Sequence, residues 1–86
     1  MSIQLKIYLP NKVFAHTKAD KVVLPVSEGT LTVIHDRAPR SQLLTEGIIA
    51  LLDEHNQTFK QWKIPGGIAE IAEDVCILAV EDIKEI

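Results

Sequence analysis

The stretch TFKQWKIPGGIAEIAEDVCILAV, residues 58–80, contains three runs of β-forming residues separated by two turns. Pro65-Gly66-Gly67 is the strongest break in the chain, because proline lacks the N–H that a ladder needs and glycine allows the backbone to reverse. Glu73-Asp74 supplies the second turn. The pattern predicts strands over Thr58–Ile64, Ile68–Ala72 and Val75–Val80.

The rest of the chain shows the same alternation of strands and turns. Ile3, Leu5 and Ile7 alternate with polar residues, which predicts a strand with one buried face. Residues 35–39 are predicted as a loop, because Pro39 would break a ladder. Turns recur about every 8–12 residues, a spacing typical of an all-β sandwich or barrel. The remaining predicted strands are Val13–Phe14, Lys21–Leu24, Thr30–Ile34 and Ile48–Leu52.

Length and composition indicate one globular domain. The chain has 86 residues, of which 47% are hydrophobic and 24% charged, and this argues against disorder. The longest apolar run, residues 48–52, is far shorter than the ~20 residues of a membrane-spanning helix. The N-terminus lacks the pattern of a signal peptide, so we expect none. A formal net charge of −3 disfavours nucleic acid as a partner.

Residues that could carry chemistry are few and scattered. His16, His35 and His55 have no metal-binding spacing, so a zinc site with Cys76 would require long-range convergence, and we expect no metal. Cys76 lies in an apolar strand, where we expect a buried, inert thiol, and a single cysteine fits a reducing compartment. An acid–base site built from His35, Asp36 and Arg37 has no motif support.

Three features have structural as well as functional interpretations. Gly66-Gly67 lacks the Lys-Ser or Lys-Thr of a phosphate loop, so we expect a structural turn with positive φ at one glycine at least. Phe59 and Trp62 face opposite sides of one strand, so one belongs in the core and the other is a candidate interface anchor. Arg37 and Arg40 flank Ala38-Pro39 and are suited to an acidic surface or a phosphate.

Several short motifs, in order and with similar spacing, resemble the N-terminal β-sandwich domain of the epsilon subunit of F-type ATP synthases. The resemblance covers essentially all of the chain. Thr32, His35 and Arg37 depart from the family pattern, in which a glycine, a proline and a histidine stand at these positions. The matching segments are Leu5–Phe14, Pro25–Ile34, Arg37–Pro39, Leu44–Ile49, Ile64–Ile71 and Val75–Ala79.

The resemblance implies an all-β sandwich of about ten short strands in two sheets, with residues 1–80 as the domain and 81–86 as a short tail. The family continues into a C-terminal helical hairpin, whereas six residues follow Val80 here. We therefore expect either a naturally short form or a shortened version of a longer chain. The departures at Thr32, His35 and Arg37 indicate a divergent lineage or a subunit of an alternate ATPase. The family's nucleotide-binding and inhibitory elements belong to the helices, so we expect no cofactor.

The implied function is that of a non-catalytic central-stalk subunit that binds the gamma subunit and the c-ring. It implies a peripheral location on the cytoplasmic face of the inner (plasma) membrane, with membrane contact only through the complex. Glu28, Gly29 and Thr30 match a turn that faces the c-ring in the family. Toward the gamma subunit we expect an exposed apolar patch rimmed by Arg37 and Arg40, with Gln42 beside them. The alternative is a stand-alone small β-barrel that binds a ligand or single-stranded nucleic acid. Four aromatic residues and a net negative charge give that alternative little support.

Overall fold

The computed structural model describes residues 2–35 and 37–86, and for Arg37 it describes the backbone alone. Within these residues the chain consists of strands and turns, with no helix long and apolar enough to cross a membrane. The strands are β1 (Ile3–Leu9), β2 (Lys12–Ala19), β3 (Lys21–Val26), β4 (Gly29–Ile34), β5 (Arg37–Leu44), β6 (Gly47–Leu52), β7 (Thr58–Ile64), β8 (Gly67–Glu73), β9 (Val75–Ala79) and β10 (Lys84–Glu85).

Two five-stranded sheets form the sandwich. The first sheet has the order β2-β1-β9-β8-β5, and the second has the order β10-β7-β6-β3-β4. The β1–β9 pair is parallel, and the other pairs are antiparallel. The expected all-β sandwich of about ten strands is thereby confirmed. The strands form two separate sheets, whereas the alternative interpretation expects a small barrel.

The core lies between the two sheets and follows the alternation in the sequence. Ile3, Leu5 and Ile7 are fully buried from the first sheet, and Leu24 and Ile49 meet them from the second. Successive side chains of a strand point to opposite faces, so each strand contributes every second residue to this core. Among the described residues, no polar or charged side chain is buried.

The loop predicted over residues 35–39 is partly wrong. Of the described residues in this range, His35 lies in a turn, whereas β5 begins at Arg37, runs to Leu44 and pairs with β8. Pro39 is tolerated because β5 is the outer strand of its sheet and its ladder is irregular between Arg37 and Arg40. The tail also contributes a strand, since Lys84–Glu85 pairs with Lys63 and Trp62 of β7.

Candidate interaction surface

The turn between β3 and β4 contains the residues that the sequence assigns to a ring-facing surface. Glu28, Gly29 and Thr30 are all exposed, and the Ser27 hydroxyl donates a hydrogen bond to the Glu28 carboxylate at 3.0 Å. Gly29 has a φ of +128°, a conformation that favours glycine. This turn is an exposed, acidic tip of the sandwich.

Two other turns lie at the same end of the sandwich. The Thr45 N–H donates to the Pro25 carbonyl at 3.0 Å, which brings the β5–β6 turn beside the β3–β4 turn. Gly66 lies against the Leu44 carbonyl, which adds the β7–β8 turn. We call this group the turn end, comprising residues 27–28, 45–46 and 65–66.

Both glycines of the β7–β8 turn have positive φ, +143° at Gly66 and +158° at Gly67. A Cβ at Gly67 would lie 2.5 Å from the Ala79 carbonyl oxygen and 2.9 Å from a methyl carbon of Val80. The turn therefore needs glycine for close approach to the neighbouring chain as well as for its backbone angles.

The residues assigned to a gamma-facing surface lie along β5. The Arg40 guanidinium donates a hydrogen bond to the Gln42 side-chain oxygen, so these two residues form one polar group. The backbone of Arg37 pairs with Glu73 at the opposite end of the sandwich from Glu28, and its side chain lies outside the described residues, as does Asp36. The six residues of β4 separate the two ends by about 20 Å.

A row of exposed apolar side chains crosses the outer face of the first sheet near the turn end. The register pairs Leu43 with Ile68, Ile68 with Ala79, Ala79 with Tyr8, and Tyr8 with Val13, so the row crosses five adjacent strands. The exposed fractions are 71% for Leu43, 47% for Ile68, 37% for Tyr8 and 56% for Val13. A continuous apolar strip of this kind is typical of a protein–protein interface. We call it the apolar row.

Polar groups border the apolar row on its own face. Two residues further along the strands, the Ser41 hydroxyl donates to both carboxylate oxygens of Glu70 at 2.8 Å. Glu70 pairs with Ile77 and Ile77 with Lys6, so this second row mixes charged and apolar residues. An apolar centre with a polar border is the usual composition of an interface.

A shallow groove of about 570 Å³ continues the apolar row onto the turn end. It shares Tyr8, Ile68 and Ala79 with the row and extends over Pro10 and Pro65. Its lining is predominantly apolar, so the groove suits a partner side chain better than a reacting polar substrate.

Sequence reasoning predicts an exposed apolar patch but not the residues that form the apolar row. Leu43 falls in a segment with no strand prediction, and the alternation in β1 groups Tyr8 with the polar Gln4 and Lys6. The individual exposed positions could have been found from alternation, but only strand pairing shows that they are adjacent.

The potentially reactive side chains have ordinary structural environments. Burial raises the pKa of the Cys76 thiol from 9.0 to about 12, so the thiol is inert near neutral pH. His16 lies 3.3 Å from the Gln4 side-chain oxygen, and His55 lies beside Glu54 on the surface. In residues 2–35 and 37–86, no three His, Cys, Asp or Glu side chains come together as a metal site would require.

The chain belongs to the family of the ATP synthase delta/epsilon chain β-sandwich domain, whose model matches residues 2–86. Among its relatives are the ATP synthase epsilon chains of Nostoc sp. and of Granulibacter bethesdensis. The first is 28% identical over 80 residues, which is 93% of this chain and 58% of the relative. The second is 32% identical over 82 residues, which is 95% of this chain and 60% of the relative. The chain thus spans about three-fifths of the length of these relatives.

Solved structures show the same fold. A chain in the cryo-EM structure of the Euglena gracilis mitochondrial ATP synthase, described as OSCP/F1/c-ring, superposes with a TM-score of 0.85 at 19% identity, covering 98% of this chain and 53% of that one. A chain in the central stalk/c-ring structure from Tetrahymena thermophila gives 0.73 at 16% identity, covering 96% and 66%. The resemblance drawn from the sequence motifs is confirmed by the family match.

Proposed function

We propose that this domain is a non-catalytic subunit of the central stalk of an F-type ATP synthase. In this role it binds the gamma subunit and the c-ring and helps to couple ion translocation to ATP synthesis. The observation that carries the proposal is the family match over residues 2–86. The ATP synthase context of both structural neighbours supports it.

The apolar row is our candidate for the gamma-facing surface. It offers exposed side chains on five adjacent strands, of which Leu43 is the most exposed. Arg37 starts β5, and Arg40 and Gln42 follow on the same strand. Arg40 and Gln42 pair with the buried Ile71 and Ala69, so they lie at the sheet edge on the side opposite the apolar row. A charge near an apolar contact mainly steers association, whereas the apolar centre supplies most of the affinity.

The β3–β4 turn, with Glu28, Gly29 and Thr30, is our candidate for the ring-facing surface. A subunit that joins two partners needs two surfaces that can be occupied together. The β3–β4 turn lies at an end of the sandwich, while the apolar row lies on a sheet face. The two surfaces therefore allow both partners to bind one domain.

In this proposal the domain has no active site of its own and needs no cofactor. It reaches the membrane through its partners, as a peripheral component on the cytoplasmic face of the inner (plasma) membrane. Rigidity is its mechanical contribution, because a compliant joint would dissipate torque. A fully apolar core between two sheets provides that rigidity.

The gamma-facing surface is tested by affinity capture with the gamma subunit from the same genome. We expect Ile68→Lys to abolish capture, because it places a charge at the centre of the apolar row. Ile48→Lys is the matched control, since Ile48 is 44% exposed, close to the 47% of Ile68, but lies on the second sheet. Equal capture of both variants would contradict the assignment of the apolar row.

The ring-facing surface is tested by binding to the purified c-ring from the same genome. Glu28→Lys should weaken binding without unfolding the domain, because it reverses a charge at the exposed tip. Glu54→Lys is the matched control, since Glu54 is an exposed acid in the β6–β7 turn at the opposite end. Unchanged affinity of the Glu28 variant would remove this residue from the interface.

A further inference from the structure

β4 is the outer strand of the second sheet, and its backbone groups divide between a paired side and a free side. Pro25 of β3 lies opposite Thr30, has no N–H, and directs its carbonyl to the Thr45 N–H at 3.0 Å. Pro25 therefore gives no backbone hydrogen bond to β4. Pro25–Thr30 is thus a non-hydrogen-bonded pair of the antiparallel ladder.

Hydrogen-bonded and non-hydrogen-bonded pairs alternate along an antiparallel ladder. From Pro25–Thr30, the next non-hydrogen-bonded pairs are Val23–Thr32 and Lys21–Ile34. Thr30, Thr32 and Ile34 consequently direct both their N–H and their C=O groups away from β3. Each of these residues also has an exposed side chain. β4 therefore presents three residues ready to bond another strand.

The other outer strands carry features that discourage strand addition, whereas β4 carries none. β2 has Lys12 and Lys18 and an irregular ladder, and β5 has Pro39 and a bulge. β10 is only two residues long. β4 has the sequence GTLTVI, which contains no charged residue and no proline, and it pairs with β3 in a regular register.

We propose that two copies of this chain pair antiparallel through β4, with the two-fold axis at Thr32. In this register Thr32 lies opposite Thr32 of the second copy, and Thr30 lies opposite its Ile34. All the outward N–H and C=O groups of β4 are then bonded, because the strand is self-complementary in this one arrangement. The absence of charge on β4 removes like-charge repulsion at the axis, and threonine is favourable opposite threonine. A charged edge strand would bring like charges together in such a symmetric pair, whereas the uncharged β4 suits a second copy of itself.

The register is tested by disulfide formation with diamide as the oxidant of the two thiols. Thr32→Cys should give a covalent dimer, because hydrogen-bonded partners have Cα atoms about 5.5 Å apart, within disulfide range. Thr30→Cys is the matched control, as its two copies would lie about 14 Å apart, four residues out of register. The unmodified chain controls for Cys76, which is buried. Equal cross-linking of both variants would overturn the proposed register.

Self-association is tested by sedimentation equilibrium at high micromolar concentration, since a contact of one strand is small and correspondingly weak. We expect an average mass that rises towards twice the 9.6 kDa of the chain. Thr32→Lys should restore the monomer, because it opposes two charges at the axis, and circular dichroism should show that it stays folded. Thr58→Lys, at an exposed position of β7, should leave association unchanged. A monomeric unmodified chain, or a dimer that persists in Thr32→Lys, would refute the proposal. Pairing of two copies covers Thr30, which the proposed function assigns to the ring-facing surface, so the dimer is a form of the free chain. Both tests use the isolated chain, and their failure leaves the proposed function untouched.

Discussion

The Phe14 ring packs edge-on against the Trp62 indole, with ring centroids 6.1 Å apart and planes at 82°. Phe14 belongs to β2 in the first sheet and Trp62 to β7 in the second, so the pair joins the two sheets. Lys60 lies with its ammonium group 5.7 Å from the indole centroid and 2.6 Å from the Glu85 carboxylate. The indole thus connects β2, β7 and the short β10.

Replacing Trp62 should be far more costly than replacing Phe59. Trp62 is 3% exposed and Phe59 is 51% exposed, as expected for opposite faces of one strand. We expect Trp62→Ala to lower the free energy of unfolding by about 3–5 kcal/mol, and Phe59→Ala to change it by about 0.5 kcal/mol or less. Urea denaturation followed by circular dichroism measures both. Similar losses for the two variants would show that Phe59 is also part of the core.

Gly67→Ala should destabilise the domain more than Gly29→Ala. Both positions have positive φ, but a Cβ at Gly67 meets the Ala79 carbonyl, whereas a Cβ at Gly29 meets nothing within 4 Å. We expect Gly67→Ala to cost about 1–3 kcal/mol, and Gly29→Ala to lie at the lower end of this range because it carries backbone strain alone. Urea denaturation of the two variants gives the comparison. Equal costs would mean that the neighbouring strand moves away freely.

The Cys76 thiol should resist alkylation by iodoacetamide in the folded protein at pH 9.0. Burial raises its pKa from 9.0 to about 12, so the folded state keeps the proton that the unfolded state loses. The contribution of the protonated Cys76 thiol to the free energy of unfolding is therefore complete below pH 9 and is lost as the pH rises towards 12. The same alkylation in urea is the positive control. A Cys76→Ala variant should lack this part of the pH dependence, and rapid labelling of the folded chain would contradict the burial.

Charges along β5 should control how fast the gamma subunit binds. We expect the double variant Arg37→Ala, Arg40→Ala to lower the association rate and its salt dependence, with little change in the dissociation rate. The double variant Lys63→Ala, Lys84→Ala is the matched control, because it removes the same charge from the second sheet. Surface-based kinetics at two ionic strengths give both rates. An identical effect of the two double variants would indicate general attraction by net charge.

Most of the strands were predictable because their signals are local. The break at Pro65-Gly66-Gly67 and the alternation of Ile3, Leu5 and Ile7 depend on backbone chemistry and neighbouring side chains. β5 was missed because Pro39 normally ends a strand, and only the position of β5 at a sheet edge makes this proline harmless. Of the site residues, Glu28, Gly29 and Thr30 lie together and exposed where the chain turns from β3 into β4, and their ring-facing role stays a prediction.

The sequence by itself determined which side chains turn inward, because alternation along a strand fixes the two faces before any strand finds its partner. Only the tertiary structure decided which residues become neighbours across strands. The apolar row from Leu43 to Val13 exists because the register of four strand pairs aligns it, and a shift of one residue in any pair would break it. The free edge of β4 likewise depends on sheet order. Strand pairing joins residues distant in sequence, so no local pattern encodes these two surfaces.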